Sequence, residues 1–224
     1  MSRTYEFPPA VVLGLWLNAA RTGAVSTTDA ANALETISGQ INIKDSTWAE
    51  IVNVVKQVSE PVAVALPVDG DPAGVAMGTL KQIVRESGVV AIDTQLLLCQ
   101  SPEFGWTLMS EPNHVMHYDL SQTRRSLTDQ IAIAANRLTA SELVGDETAI
   151  IDALDSFRAL HLPPHLSKRS TDALELAARV MIIARGAIQS TSALHSPSID
   201  RRRVQDLQLL ITHGRAVLQS VVTG

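Results

Sequence analysis

Apolar residues recur along this chain with two different periods, and the places where the period changes divide it into three stretches. In the first sixty residues the spacing is helical. Val12, Leu13, Trp16, Leu17 and Ala20 share one face of a helix from about Pro9 to Thr22, with proline at its start and Gly23 just past its end. A second helix begins near Ser26 or Thr27, either of which can cap it, and stops at Gly39. A third starts around Asp45 or Ser46, where Trp48, Ile51, Val52, Val55 and Val58 keep the 3.6-residue period.

The period then shortens. Pro61 to Pro67 is a short apolar run bounded by prolines and reads as a strand. Asp69-Gly70-Asp71-Pro72 reads as a turn, followed by a helix from Ala73 to Glu86 that Gly88 ends. Val89 to Cys99, Gly105 to Ser110 and Val115 to Leu120 are three strand-like runs at short spacing, the pattern of an antiparallel meander that the Pro61–Pro67 strand can join.

From Ser121 onward the helical period returns. Leu127, Ile131, Ala134 and Leu138 form one stripe; Ile150, Ile151, Leu154 and Phe157 form another, ending before Pro163-Pro164. Leu174, Ala177, Met181, Ala184 and Ile188 form a third. The last is Val204, Leu207, Ile211, Gly214, Leu218 and Val221, spaced like a heptad seam, which suits either self-association or packing in a helical bundle. The expected fold is therefore α+β: N-terminal helices, a small central, mostly antiparallel sheet with one packed helix, and a C-terminal helical bundle. The best boundary is Leu120/Ser121, giving residues 1–120 and 121–224, with one continuous domain as the alternative.

Composition narrows this picture. The chain is 46% apolar and 18% charged, which is globular and not disordered. Aromatics are only 4%, so Ala, Val, Leu and Ile must build the core. The single cysteine, Cys99, excludes an intrachain disulfide and suits a reducing, cytoplasmic setting. It lies in an apolar run with no local base, so a buried thiol is expected. No segment supplies the roughly 18–20 apolar residues of a membrane span. Arg3, the run Ala10–Leu17 and Asn18-Ala19-Ala20 outline a secretory signal, but Glu6, Pro8-Pro9 and the shortness of the run favour the helix.

Net charge is −5, divided as −7 over residues 1–120 and +2 over residues 121–224. The acidic part is unsuited to a phosphate backbone, whose affinity for protein comes mainly from Lys and Arg. Arg201-Arg202-Arg203 before the last apolar stripe, with Arg124-Arg125 earlier, are the only arginine runs that could touch nucleic acid or an acidic partner. Asp200 and Asp206 lie close by, and no aromatics interleave.

Candidate chemistry is sparse. The loop Val68–Gly74 lies between an expected strand and an expected helix, where ligands bind in many α/β proteins, so Asp69, Gly70, Asp71 and Gly74 are candidate ligand-binding residues. Its two carboxylates would repel a phosphate unless a cation such as Mg²⁺ intervened. A plain alternative makes Asp71 the helix cap, Pro72 the first helical residue and Gly70 the turn. His117 and Asp119 share a face if their segment is a strand, with His114 on the other, so the first two form a candidate His–carboxylate pair. His161 and His165 are separated by a proline pair that prevents helical alignment. No metal site is expected and no cofactor is indicated. Gly-x-Ser-x-Gly, His-Glu-x-x-His, Cys-x-x-Cys and the phosphate-binding glycine loops are all missing.

No motif names an activity, and whether the protein is an enzyme stays open. The leading expectation is a non-enzymatic interaction or self-associating protein, a possible homo-oligomer or protein partner, using Val204, Leu207, Ile211 and Leu218. The alternatives are a small-ligand binder or enzyme using the Asp-Gly-Asp loop, and a nucleic-acid regulator using the arginine run.

Overall fold

The computed structural model describes residues 7–38, 46–68, 70–81, 83–84, 87–101, 105–138, 147–190 and 197–224. They form two compact units, each with its own core. One, the sheet unit, comprises Pro8–His117, His161–Ser167 and Val222–Gly224. The other, the helical unit, comprises Tyr118–Leu160 and Lys168–Val221, with Phe7. The class is α+β, with helices first, an antiparallel sheet, then helices.

The sheet unit opens with α1 (Pro9–Arg21), α2 (Thr27–Ser38) and α3 (Trp48–Gln57). Proline stands at the first position of α1, and every residue from Ala10 to Leu17 is buried, not one face alone. The Ser26 hydroxyl accepts the Asp29 N–H at 3.0 Å before α2. α3 starts slightly later than its apolar pattern suggests, because Thr47 and Glu50 close a reciprocal capping box there. The Glu50 carboxylate accepts the Thr47 N–H at 2.7 Å, and Thr47 Oγ1 accepts the Glu50 N–H at 3.2 Å.

The sheet is a meander of β1 (Ala63–Ala65), β2 (Val89–Ala91), β3 (Leu96–Ser101) and β4 (Gly105–Ser110), each strand antiparallel to the next. Because side chains alternate along a strand, Ala63, Ala65, Val89, Ala91, Leu97 and Cys99 line one face, packed with Val75 and Ile83. The strands are buried residue after residue in β1 and β2, which explains their continuous apolar runs. α1 packs beside β1 and β2. Gly14 makes this possible: a Cβ there would lie 2.8 Å from methyl carbons of both Val64 and Val222.

Three sequence expectations change here. Among the described residues the Ala73–Glu86 helix is reduced to the single turn α4 (Met77–Leu80), with residues 82, 85 and 86 lying outside them. Ala73 and Gly74 have positive φ, and further on the Val84 N–H donates to Gln100 O at 2.7 Å, a bond to β3 in place of a helical one. The Val89–Cys99 run is two strands, not one. Asp93 Oδ1 accepts the Gln95 N–H at 2.7 Å, an Asx turn that folds the run back on itself. Val115–Leu120 is not a strand: residues 111–119 carry no strand pairing and are tethered by Glu111 and Asn113 N–H groups donating to Gln95 and Thr94 carbonyls.

The helical unit contains α5 (Leu120–Leu138), α6 (Glu147–Arg158), α7 (Lys168–Ser190) and α8 (Pro197–Thr223, whose last two residues belong to the sheet unit). α5 and α8 run antiparallel, joined near one end by Thr123 Oγ1 and Ser220 Oγ at 2.8 Å and near the other by Arg137 and Asp206 at 2.8 Å. Ala134, Ala184, Ala187, Leu207 and Leu210 pack between α5, α7 and α8. Full burial of a leucine contributes about 1.5–3 kcal/mol, so these small and medium residues stabilise this cluster without an aromatic. Phe7 packs on Phe157, ring centroids 5.3 Å apart. Among the described residues no helix is long and apolar enough to cross a membrane.

Candidate functional site

The Asp-Gly-Asp loop is a tight turn. Val68 and Asp71 exchange both backbone hydrogen bonds, at 2.9 and 3.0 Å, across Gly70, whose φ is 85°. Asp69 lies outside the described residues. Asp71 Oδ1 accepts the Ala73 N–H at 3.0 Å, so this carboxylate holds a turn; it does not cap α4, whose N-cap is Ala76. Gly74 then runs against residues 114–115. Its carbonyl accepts the His114 N–H at 2.9 Å, and a Cβ on Gly74 would stand 2.3 Å from His114 O. Glycine is required there by both its φ of 82° and this backbone approach. Gly70, Asp71 and Gly74 thus each have a definite role in chain reversal.

His117, exposed, ends the main span of the sheet unit. Asp119 precedes α5 in the helical unit, and its Oδ1 accepts the Gln122 N–H at 2.8 Å, the geometry of an N-cap. The strand that would have aligned the two on one face is not formed. His161 stacks on Trp16 with ring centroids 5.3 Å apart, while its carbonyl accepts the Trp16 indole N–H at 2.8 Å. Among the described residues, no group of three or more His, Cys, Asp or Glu side chains could hold a metal.

Cys99 is buried within the sheet, its Sγ 3.2 Å from Met109 Sδ and 3.8 Å from Thr107 O. Burial pushes its thiol up to about 11, because the thiolate would lose its hydration. Such a thiol is a poor nucleophile at neutral pH.

On α8 the candidate interaction residues are turned toward their own chain. Leu207 and Leu218 are buried, and Val204 and Ile211 half-buried, with Leu207 and Ile211 packed in the cluster shared with α5 and α7. The three arginines do not present one surface. Arg201 and Arg202 are exposed, whereas Arg203 is only 6% exposed. Asp206, one turn further, is also buried and is paired with Arg137. The sequence offered Arg203, with Arg201 and Arg202, as part of one run that could touch nucleic acid or an acidic partner, with Asp206 close by. The signal that could have found Arg203 was spacing: Arg203, Leu207, Leu210, Gly214, Val217 and Val221 are spaced 4-3-4-3-4 and share Leu207, Gly214 and Val221 with the apolar stripe.

Residues 10–117 match the family model described as "Rv1486c-like protein, N-terminal domain". The matched segment covers nearly the whole main span of the sheet unit and ends with it at His117. Neither the curated proteins nor the solved structures searched contain a match to this chain.

Proposed function

We propose that this protein is a non-enzymatic interaction protein that associates through the outward faces of its C-terminal helices, with a second copy of itself as the first partner to test. One observation carries this reading. Each of the four helices α5 to α8 exposes a large aliphatic side chain: Ile133 is 43%, Ile151 49%, Ile183 48% and Leu209 39% exposed. Large apolar groups held in water gain free energy when a partner covers them. The seam of Val204, Leu207, Ile211 and Leu218 lends the helices their stability, and the association surface is assigned to the residues left outside it.

The enzyme reading draws less support, since Asp71 and Asp119 are each engaged with backbone N–H groups in local turns and caps. The nucleic-acid reading is weakened because Arg203 is withdrawn from the surface. A cytoplasmic setting agrees with a lone reduced thiol at Cys99.

Sedimentation velocity over a wide concentration range tests the proposal. The wild type is expected to shift from monomer to dimer with concentration, and an I183E/L209E variant with unchanged circular dichroism to stay monomeric. A wild type that is monomeric throughout would remove self-association from the reading.

A further inference from the structure

The unclaimed feature of the molecule is the guanidinium of Arg203. Arg203 is more than nine-tenths buried, and two of its nitrogens, Nε and Nη2, have no hydrogen-bond partner among the described residues. Arginine does not shed its charge on burial, and an uncompensated buried cation is costly. The buried carboxylate one turn away, that of Asp206, is already matched by Arg137 at 2.8 Å. Among the described residues Asp206 is the one buried carboxylate, so no other is left to pair with Arg203.

The identity of the two free nitrogens is informative. Nε and Nη2 lie on the same edge of the guanidinium, where their N–H bonds point in parallel. This edge forms the side-on fork that receives two oxygens of one carboxylate or one phosphate. A water molecule could accept a hydrogen bond from that edge but could not balance the charge. We propose that the first turns of α8 form a binding site for a small oxyanion, with Arg203 as its bidentate ligand and exposed Arg201 and Arg202 raising the local anion concentration. The ligand class is a phosphate or carboxylate group, free or carried by a small metabolite.

This site is independent of the self-association reading and uses none of its exposed aliphatic residues. Titration calorimetry with inorganic phosphate, and separately with citrate, at ionic strength held constant with chloride, tests it. Saturable binding of either anion by the wild type and by R125Q, which removes an exposed arginine of α5, is expected, and the stronger of the two identifies the preferred oxygen chemistry. R203Q should weaken it by at least about tenfold, as expected for two charge-assisted hydrogen bonds. No saturable binding of either anion, or wild-type affinity in folded R203Q, would overturn the proposal.

Melting curves give a second reading. R203M should melt at or above the wild type without phosphate and below it with saturating phosphate, because only the wild type gains from the ligand. An R203M protein that melts well below the wild type in both buffers would mean that the chain itself satisfies Arg203, and would also overturn the proposal.

Discussion

Asn18 and Val62 are joined by two hydrogen bonds: Asn18 Nδ2 donates to Val62 O at 2.9 Å, and the Val62 N–H donates to Asn18 Oδ1 at 2.8 Å. A side-chain amide on α1 thereby acts as the pairing partner of the backbone leading into β1. The same Nδ2 donates to Val222 O at 2.7 Å, bringing the end of α8 into the arrangement. Asn18→Ala would leave the buried Val62 N–H and two carbonyls without this partner, at about 1–3 kcal/mol for each group that water cannot reach. A loss of more than about 2 kcal/mol is expected in urea unfolding. Asn18→Asp keeps only the acceptor and should not restore stability.

Gly70 and Gly74 share a positive φ but differ in surroundings, so alanine should separate them. At Gly70 a Cβ meets nothing within 4 Å, and only the backbone strain remains, of order 1 kcal/mol. At Gly74 the Cβ would collide with His114 O, so Gly74→Ala should cost about 2–4 kcal/mol. Equal midpoints for the two variants in chemical denaturation would contradict the tight backbone approach of residues 74 and 114.

Gly214 lies tight against α7: a Cβ there would stand 2.6 Å from Met181 Cγ. Gly214→Ala should therefore destabilise by about 1–3 kcal/mol through overpacking, even though alanine is the better helix former. The coupled change Met181→Ala opens room for the new methyl. In a double-mutant cycle the two substitutions should cost less together than the sum of their separate effects.

Cys99 should resist thiol reagents in the native protein at pH 8 and react rapidly once the sheet is unfolded, because the thiolate is disfavoured by burial. The sign of the linked stability follows. Folding raises the thiol from 9.0 to about 11, so the folded state holds its proton more tightly. That contribution is fully present below about pH 9 and is lost as pH rises toward 11. Cys99→Ala should flatten the decline in stability over that window, as read from urea midpoints measured across it.

Local spacing determined much of this protein. The apolar period identified α1, α3 and α5 to α8, cap and stop residues placed α2, prolines and turn residues bounded β1, and the meander was legible in short apolar runs. These features are local: a residue three or four places along a helix, or two along a strand, reports its own face. One error, the Val89–Cys99 run, missed a local Asx turn at Asp93, and another fell where a non-local contact overrode a local pattern. Ala73–Glu86 has a helical composition, yet Ala73 and Gly74 have positive φ and Val84 bonds to Gln100 on β3 in place of a helical bond. Only the tertiary structure decided that Leu207 and Leu218 are buried within the chain's own fold, since an apolar stripe looks the same whichever surface covers it. It alone also decided that Arg203 is buried while Arg202 is exposed. Three consecutive arginines are chemically identical in the sequence, and the 100° turn between helical neighbours carries Arg203 inward while Arg201 and Arg202 stay exposed.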